Sequence, residues 1–408
     1  MDRAKQAIII VSVALAAIPA VWAQTPLSMA DAVSLALSTR QELRAAQERL
    51  NAAELLETQA KLLPNPRLYF QSEDLRVSNF SFSRDSETYA YASELIETSG
   101  KRQARTNVAV QNVNLGRATS DEIKARIVTR VRHAYWAARS AGLLSKLYAE
   151  DSEYYRQLIA YHEARFHEGK LAEVDLLRIQ LEGERVQASA AEMELTAERA
   201  MSQLASEIGL VEGDWKLTEP FEQLEQPKSP PPPSDPMLFR PEGAAARFAI
   251  EAAQANTSLQ KSSGHPDIEV LAGYKANLGL NTAVVGLQLN LPLFNRNQGG
   301  IGAALSTTRA AEEDYAVVKR QLSSELKLAQ RDFSFRKDAY EKTFKPLHER
   351  AIEISDITRS AYREGGMDLV RLLDAERLRV DADVSWVNSL ENYHQSVVSL
   401  EYAEGVQP

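Results

Sequence analysis

The 408-residue sequence contains no cysteine, so we expect neither a disulfide bond nor a lipid attached to an N-terminal cysteine. Apolar runs long enough for a membrane-spanning helix are absent after residue 23. If the chain crosses a membrane, it must therefore do so with strands. The net charge of −9 argues against a nucleic-acid partner.

Residues arranged for catalysis, phosphate binding or cofactor binding are also missing from the sequence. Its six histidines are scattered: His133, His162, His167, His265, His348 and His394. His162 and His167 are five residues apart and do not share a helix face, so we interpret them as polar surface residues and not as a metal site. The sequence predicts no enzyme, no cofactor and no metal site.

The first 23 residues have the pattern of a secretory signal. Arg3 and Lys5 precede an apolar run, and Val21-Trp-Ala23 resembles a cleavage site with small residues. The alternative is an N-terminal membrane anchor, which the short run and the cleavage site disfavour. We therefore expect an exported mature chain.

A turn that occurs twice organises the mature sequence. Residues 166–177 align with residues 362–373 at a constant offset of 196, and the pairs Glu168/Glu364 and Gly169/Gly365 are identical. Helical patterns flank both turns, and Asp368 is placed to cap the helix that follows the second. A repeat of this length indicates that one structural unit, a helical hairpin, is used twice.

The helical pattern of the first half is interrupted once, by strands. Two helices follow the Ser28-Met-Ala-Asp31 capping box, and two strands of about ten residues each lie within residues 67–97. A helix from about residue 99 to 168 is on the order of 100 Å long, and another runs from about 173 to 208. Such a long helix must pack against other long helices.

The second half replays this order after a proline-rich connector at residues 209–241. A helix, two alternating strands within 267–292 and a long helix precede the Gly365 turn, and Pro346 is expected to kink that long helix. The predicted organisation is a signal peptide (1–23), a first repeat (24–208), the connector (209–241) and a second repeat (242–408). The fold class is mainly α with a small β part, in two helix–strand–strand–helix repeats.

The last predicted strand alternates in the manner of a membrane strand. Val285, Leu287 and Leu289 share one face, whereas Gly286 and Gln288 share the other. A half-buried strand of a soluble sheet is an equally good interpretation of this segment alone.

Four strands cannot close a barrel, and open sheet edges cannot face lipid, so several chains must share one barrel. Two chains give eight strands and a filled interior, whereas three give twelve and a lumen. A trimeric channel with four strands per chain in a shared β-barrel is therefore the simplest assembly, and the long hairpins form a tube on one side of the membrane.

The repeated layout resembles the TolC-like outer-membrane efflux channels. Three motifs are similar to those of the cobalt–zinc–cadmium resistance branch: Leu63-Pro-Asn-Pro-Arg67, Ser99-Gly-Lys-Arg102 and Pro292-Leu-Phe-Asn-Arg-Asn-Gln-Gly299. The resemblance implies a homotrimer in outer-membrane lipid, with periplasmic hairpins. It also implies docking to a periplasmic adaptor and a proton-driven inner-membrane pump. The expected function is a passive exit duct for heavy-metal cations or small toxic compounds.

The resemblance also implies two groups of functional residues. A periplasmic gate is expected near the end of the hairpins, where acidic residues ring the pore: Asp374, Arg371, Asp175 and Tyr362. Arg371 stands where the family often has a second aspartate, and it is a candidate partner for Asp175 of a neighbouring hairpin. The adaptor-docking tips are expected at the two turns: Gly169, Lys170, Leu171, Gly365, Gly366 and Met367.

A periplasmic adaptor or coiled-coil scaffold is the alternative function, because adaptors also carry long hairpins. Adaptors normally have one hairpin between β modules, whereas this sequence predicts two hairpins and two strand pairs. A secreted enzyme is a third possibility that no residue pattern supports. The transported substrate is not determined by the sequence.

Overall fold

The structure is a computed structural model that describes residues 25–74, 86–228, 235–277 and 279–406. The predicted signal peptide, most of the predicted loop from Asn79 to Ser86, and Pro230 to Pro233 lie outside these residues. The described helices and strands are β1 (Thr25–Leu27), α1 (Met29–Thr39), α2 (Gln41–Ala60), β2 (Arg67–Glu73), β3 (Glu87–Ile96), α3 (Lys101–His167), α4 (Glu173–Ile208), β4 (Trp215–Leu217), α5 (Pro241–Ser263), β5 (Ile268–Asn277), β6 (Leu280–Leu289), α6 (Gln298–Ala339), α7 (Lys345–Arg363) and α8 (Leu369–Ala403).

The two helix–strand–strand–helix repeats are present. The long helix α3 of the first repeat contacts helices of both repeats. It contains 67 residues and so extends about 100 Å, as the sequence predicts. α3 packs against α2, α5, α4 and α8, while α5 also packs against α6, and α8 against α7. No helix in the described residues has the length and apolarity needed to cross a membrane.

The four long strands form one antiparallel sheet in the order β2-β3-β5-β6. Its cross-strand register places Leu68, Ala92, Ala272 and Val285 in one row, so each strand contributes to a common apolar face. That face is open: Leu68 is 84% exposed and Val285 is 80% exposed.

The opposite face of the sheet is more polar. Tyr69 stacks on Tyr91 with ring centroids 4.6 Å apart, and Glu87 forms an ion pair with Lys275. The predicted alternation is confirmed, but the strand ends differ from the prediction. β6 runs from Leu280 to Leu289, so residues 290 and 291 lie in a loop, and β2 has seven residues instead of about ten.

Two short strands form a second sheet, separate from the four-stranded one. β1 and β4 are parallel three-residue strands, and neither was predicted, because three residues are too few to show a period. The Tyr135 hydroxyl on α3 donates to the Leu27 carbonyl (2.8 Å) and accepts from the Thr218 and Glu219 amides (3.1 and 3.2 Å). This buried hydroxyl fixes both strands against α3, in the largest apolar cluster of the described chain.

The kink predicted at Pro346 takes the form of a π-helical turn over Tyr340–Phe344, between α6 and α7. Proline has no amide hydrogen to donate to the carbonyl four residues earlier, and its ring crowds that carbonyl. The Lys345 amide accordingly bonds the Tyr340 carbonyl, five residues back. A single wider turn therefore accommodates the proline between α6 and α7.

The two hairpin turns have the same backbone structure. Gly169 and Gly365 both adopt a left-handed conformation, with φ of 72° and 79°. The next amide bonds back to the helix in each case, from Lys170 to the Arg165 carbonyl (2.9 Å) and from Gly366 to the Ala361 carbonyl (2.8 Å). A left-handed residue followed by this bond ends a helix sharply. The repeat seen in the sequence is therefore a repeat of structure.

Candidate functional site

The second turn is closed by the cap that the sequence predicts. The Asp368 carboxylate accepts a hydrogen bond from the Arg371 amide at 2.9 Å, which starts α8. The equivalent position in the first repeat is Ala172, whose side chain cannot cap α4. The two tips thus share a backbone turn and differ in the charge they present.

The structure separates the predicted gate residues into two half-buried and two exposed side chains. Tyr362 on α7 and Asp175 on α4 are half-buried, whereas Arg371 and Asp374 are exposed. Within the chain, Arg371 pairs with Asp368 at 3.8 Å and Asp175 pairs with Arg178 at 3.9 Å. Both pairs are long and solvent-accessible and therefore weak. The described chain shows no ion pair between Arg371 and Asp175.

His162 is the main correction to the sequence analysis. It was interpreted as a polar surface residue, but it is 0% exposed and lies between the two hairpins. Its Nδ1 atom is 2.7 Å from the Leu158 carbonyl, so Nδ1 carries the hydrogen and donates it. Nε2 is then an acceptor, and the Tyr362 hydroxyl donates to it at 2.5 Å. A neutral histidine therefore joins the first hairpin to the predicted gate residue Tyr362.

Burial lowers the pKa of His162 and raises the pKa of Tyr362. Both shifts favour the neutral side chains that this hydrogen bond requires. The two hairpins also pack together through an apolar cluster, against which Tyr362 packs: Tyr155, Ile179, Val186, Leu369, Leu372 and Leu373. The tips are consequently held in place by a small core and not by the turns alone.

A network of buried charges, which the sequence analysis missed, lies farther from the turns. Glu376 on α8 is 0% exposed and accepts from Arg359 on α7, with Nε and Nη2 at 2.5 and 2.6 Å. Arg379 bonds Glu376 at 3.2 Å, Asp383 at 2.6 Å, and Asp151 of α3. The network joins α7, α8 and α3.

Opposing effects set the charge states in this network. Burial by itself raises the pKa of Glu376, but hydrogen bonds from Arg359 and the charge of Arg379 outweigh it and hold the pKa below its usual value. For Asp151, burial has the larger effect and raises the pKa despite Arg379. A second link crosses to α4, where Glu182 accepts from Arg377 at 2.9 Å.

Helical spacing was the signal that could have revealed these buried charges. Leu369, Glu376, Asp383, Leu390 and Val397 recur at intervals of seven residues and are all buried. Two charged residues therefore occupy core positions of a heptad pattern, where apolar residues are expected. Buried charges at such positions require partners on the adjacent helices.

The described residues contain no group of three or more histidine, aspartate or glutamate side chains that could hold a metal ion. His348 contacts a single carboxylate, with Nε2 2.8 Å from Asp383, and stacks on Trp386. Neither contact forms a metal site.

The sequence pattern of the family described as outer membrane efflux protein matches residues 32–210 and 239–406. These two segments contain the two structural repeats, including both turns.

Two characterised proteins are similar over long stretches. The cobalt-zinc-cadmium resistance protein CzcC of Cupriavidus metallidurans is 26% identical over 384 residues, which cover 92% of this chain and 89% of that protein. The nickel-cobalt-cadmium resistance protein NccC of Alcaligenes xylosoxydans xylosoxydans is 24% identical over 294 residues, covering 71% and 66% of the two chains.

Solved structures share the fold at lower identity. The chain superposes on CusC with a TM-score of 0.79 and 18% identity, covering 94% of this chain and 93% of that one. The open state of the Neisseria gonorrhoeae MtrE outer membrane channel gives a TM-score of 0.78 and 19% identity, with 92% and 88% coverage.

We expect the buried network to matter more for stability than exposed ion pairs do. Arg379→Met should destabilise the α7–α8 hairpin by about 3–5 kcal/mol, because it leaves the buried Asp151 carboxylate without its partner and removes one partner each from Glu376 and Asp383. Arg156→Met removes an exposed pair with Glu153 on α3 and should leave stability nearly unchanged. Amide hydrogen exchange of α7 and α8 measures both effects. Equal protection in the two variants would contradict this role of the network.

The tip should loosen on acidification because of His162. Its folded pKa lies below the ordinary value, so the unfolded state binds more protons and stability rises with pH. The contribution is complete above about pH 6.5 and is lost as pH falls toward the folded pKa, at no more than about 1.4 kcal/mol per pH unit.

Amide exchange at residues 158–166 should therefore accelerate in the wild-type protein between about pH 7.5 and about pH 5.5, after correction for intrinsic rates. The neutral His162→Gln variant is the control and should lose most of this pH dependence. If the variant keeps the full dependence, another group is responsible.

Proposed function

The chain belongs to the outer membrane efflux protein family, and from this premise we propose that it is the exit duct for heavy-metal cations in a tripartite efflux system. The family consists of channel proteins of the outer membrane. The observation that carries the choice of substrate is the similarity to CzcC over 92% of this chain. The name of that relative specifies cobalt, zinc and cadmium resistance.

The adaptor alternative loses its support, because the family match includes both repeats and the shared fold covers 93% of CusC. The two hairpins and two strand pairs that distinguished the channel in the sequence are both present in the structure.

We propose that three chains share one barrel. β2 and β6 are the outer strands of the described sheet, so each has an edge without a strand partner in one chain. Pairing β6 with β2 of the next copy satisfies both edges, and three copies give twelve strands around a lumen. The open apolar face of the sheet then contacts lipid, and the polar face with its Glu87–Lys275 pair lines the lumen.

The hairpins support the same closed assembly. α3 packs against α4 and α8, and α8 packs against α7, and we take α4 and α7 as the helices that face the neighbouring copies. Both carry exposed apolar residues: Val174, Leu177 and Leu181 on α4, and Ile354 and Ile357 on α7. Apolar residues at such helical spacing form packing stripes. Joining α4 of one copy to α7 of the next covers both stripes and closes a tube.

The hairpin tips are the proposed docking surface for a periplasmic adaptor, which connects the duct to a proton-driven inner-membrane pump. Gly169, Lys170, Gly365 and Gly366 are exposed, and Leu171 and Met367 are partly exposed beside them. Because the two turns have the same backbone, an adaptor that recognises one turn can recognise the other. Three chains would present six such tips.

The gate is proposed to lie just above the tips. Asp374 is exposed on α8, nine residues or about two and a half helical turns from Gly365. Three copies would place three carboxylates around the axis, which attracts cations. Arg371 and Asp175 have only weak exposed partners within the chain, so they are available to pair between neighbouring hairpins and hold the gate closed.

The lipid-facing assignment is tested by a matched pair in β6. Leu287→Lys places a charge in lipid and should cost about 2–4 kcal/mol near the bilayer midplane. Gln288→Lys places the same charge on the lumen face and should be tolerated. The amount of heat-resistant oligomer in outer-membrane fractions, and cellular cobalt, zinc and cadmium, measure the effect. Equal defects in both variants would exclude this orientation of the sheet.

Docking is tested by cross-linking. The cysteine-free chain allows single cysteines at the tips, as Lys170→Cys or Gly366→Cys, with Val211→Cys as an exposed control away from the turns. A short thiol-to-amine cross-linker should capture the adaptor from the tip variants and not from the control. Tips that capture nothing in an actively exporting complex would show that the adaptor binds elsewhere.

The gate is tested in planar bilayers. Asp374→Asn should weaken cation selectivity, whereas Asp356→Asn, which removes an exposed acid on α7, should not. Arg371→Ala and Asp175→Ala should each raise conductance, and the double variant should add little to either. Unchanged selectivity in Asp374→Asn would place the acidic constriction elsewhere, and additive effects of the other two would show that they do not pair.

A further inference from the structure

The loop that follows β6 exposes an aromatic side chain to solvent. Phe294 is 92% exposed, and the adjacent Leu293 is 64% exposed. The loop itself is well anchored, because the Asn297 side chain donates to the Gln260 carbonyl at 2.8 Å and the Gln298 side chain donates to the Phe294 carbonyl at 3.1 Å. A rigid loop that presents a large apolar side chain to solvent indicates a contact surface.

An apolar cavity of about 510 Å³ lies between α2, α3 and the segment that leads into β2, and Leu259 of α5 completes its lining. Its lining includes Leu56, Leu62 and Leu63, which are 65%, 53% and 61% exposed, and the adjacent Pro64. The cavity is thus open to solvent along a leucine-rich rim.

Arg105 of α3 lines this cavity and orders the residues around it. Its guanidinium donates to the Ala60 and Leu62 carbonyls, both at 3.1 Å, and is held by the Glu97 carboxylate, also at 3.1 Å. These bonds satisfy carbonyls at the end of α2 that the helix leaves unpaired. They also fix the leucines of the rim, so that the cavity is present before any partner arrives.

The strand order brings the loop and the cavity together when copies join. The sheet runs β2-β3-β5-β6 and every neighbouring pair is antiparallel, so β2 leaves the helical end and β6 returns to it. If β6 pairs with β2 of the next copy, that pair is antiparallel too. The residues just after β6 then lie beside the residues just before β2 of the neighbour, that is, beside the cavity.

We propose that Phe294 of one protomer inserts into the cavity formed by Leu56, Leu62 and Leu63 of the next protomer. The occupant is a second copy of this chain, and the contact locks the sheet to the helical tube at each boundary between protomers. This inference rests on the proposed pairing of β6 with β2. Lipid would cover Phe294 as well, but it would leave unexplained why an apolar cavity lies beside the segment before β2, which ring closure brings to this loop.

Disulfide trapping in outer-membrane preparations tests the contact. The Phe294→Cys/Leu63→Cys double variant should form disulfide-linked oligomers on oxidation, because the chain has no other cysteine. The Phe294→Cys/Val211→Cys variant is the control, since Val211 is 89% exposed but lies near β4. Its oligomeric bands should be at least tenfold weaker. Equal bands in the two variants would overturn the proposal.

A third set of variants separates this inference from ring closure itself. Leu68→Cys in β2 is combined in turn with Val285→Cys, Leu287→Cys or Leu289→Cys in β6, and at least one pair should link neighbouring chains. If a strand pair links and the Phe294/Leu63 pair does not, the ring stands and the insertion of Phe294 is wrong. If neither links, the ring closure and the inference both fail.

Lipid contact is tested by fluorescence, using Phe294→Trp and Leu287→Trp in vesicles that contain brominated lipid. The added tryptophan at position 287 should be strongly quenched relative to non-brominated vesicles, and that at position 294 should be quenched at least threefold less. Equal quenching would mean that lipid and not the neighbouring chain covers position 294, and would overturn the proposal.

Discussion

The continuity of α3 is the constraint on which the other parts of the structure depend. This one helix of 67 residues carries Arg105 at the sheet, Tyr135 in the main apolar cluster, Asp151 in the buried network and His162 at the tip. A helix about 100 Å long is stable only with partners along its length, and α2, α5, α4 and α8 supply them in turn. The sheet and the tips therefore keep a fixed separation.

Buried polar contacts align the two hairpins around α3. Apolar packing at heptad spacing tolerates a shift by one repeat, because each layer resembles the next. The Arg379 contacts with Asp151, Glu376 and Asp383 do not tolerate it, since a shift leaves charges buried without partners. We therefore expect this network and the His162–Tyr362 bond to fix the register between the hairpins. The register places Arg371 and Asp374 at a defined height above the tips.

Most of the fold and part of the candidate site could be predicted from the sequence, because they depend on local patterns. The Gly365 turn, the Asp368 cap and the irregular helical turn before Pro346 each follow from residues within a few positions of one another. The alternation of β6 was likewise visible in the sequence. The three-residue strands β1 and β4 escaped prediction because their pairing joins segments that are 190 positions apart.

The sequence by itself determined the helices, the strands, the repeated turns and the resemblance to outer-membrane efflux channels, since propensity and periodicity depend on near neighbours in the chain. Only the tertiary structure decided which side chains meet between hairpins. His162 looked like a surface residue because nothing near it in sequence reveals Tyr362, 200 positions away. The partners of Glu376 and the cavity beside Leu63 were hidden for the same reason: burial depends on helices that only folding brings together.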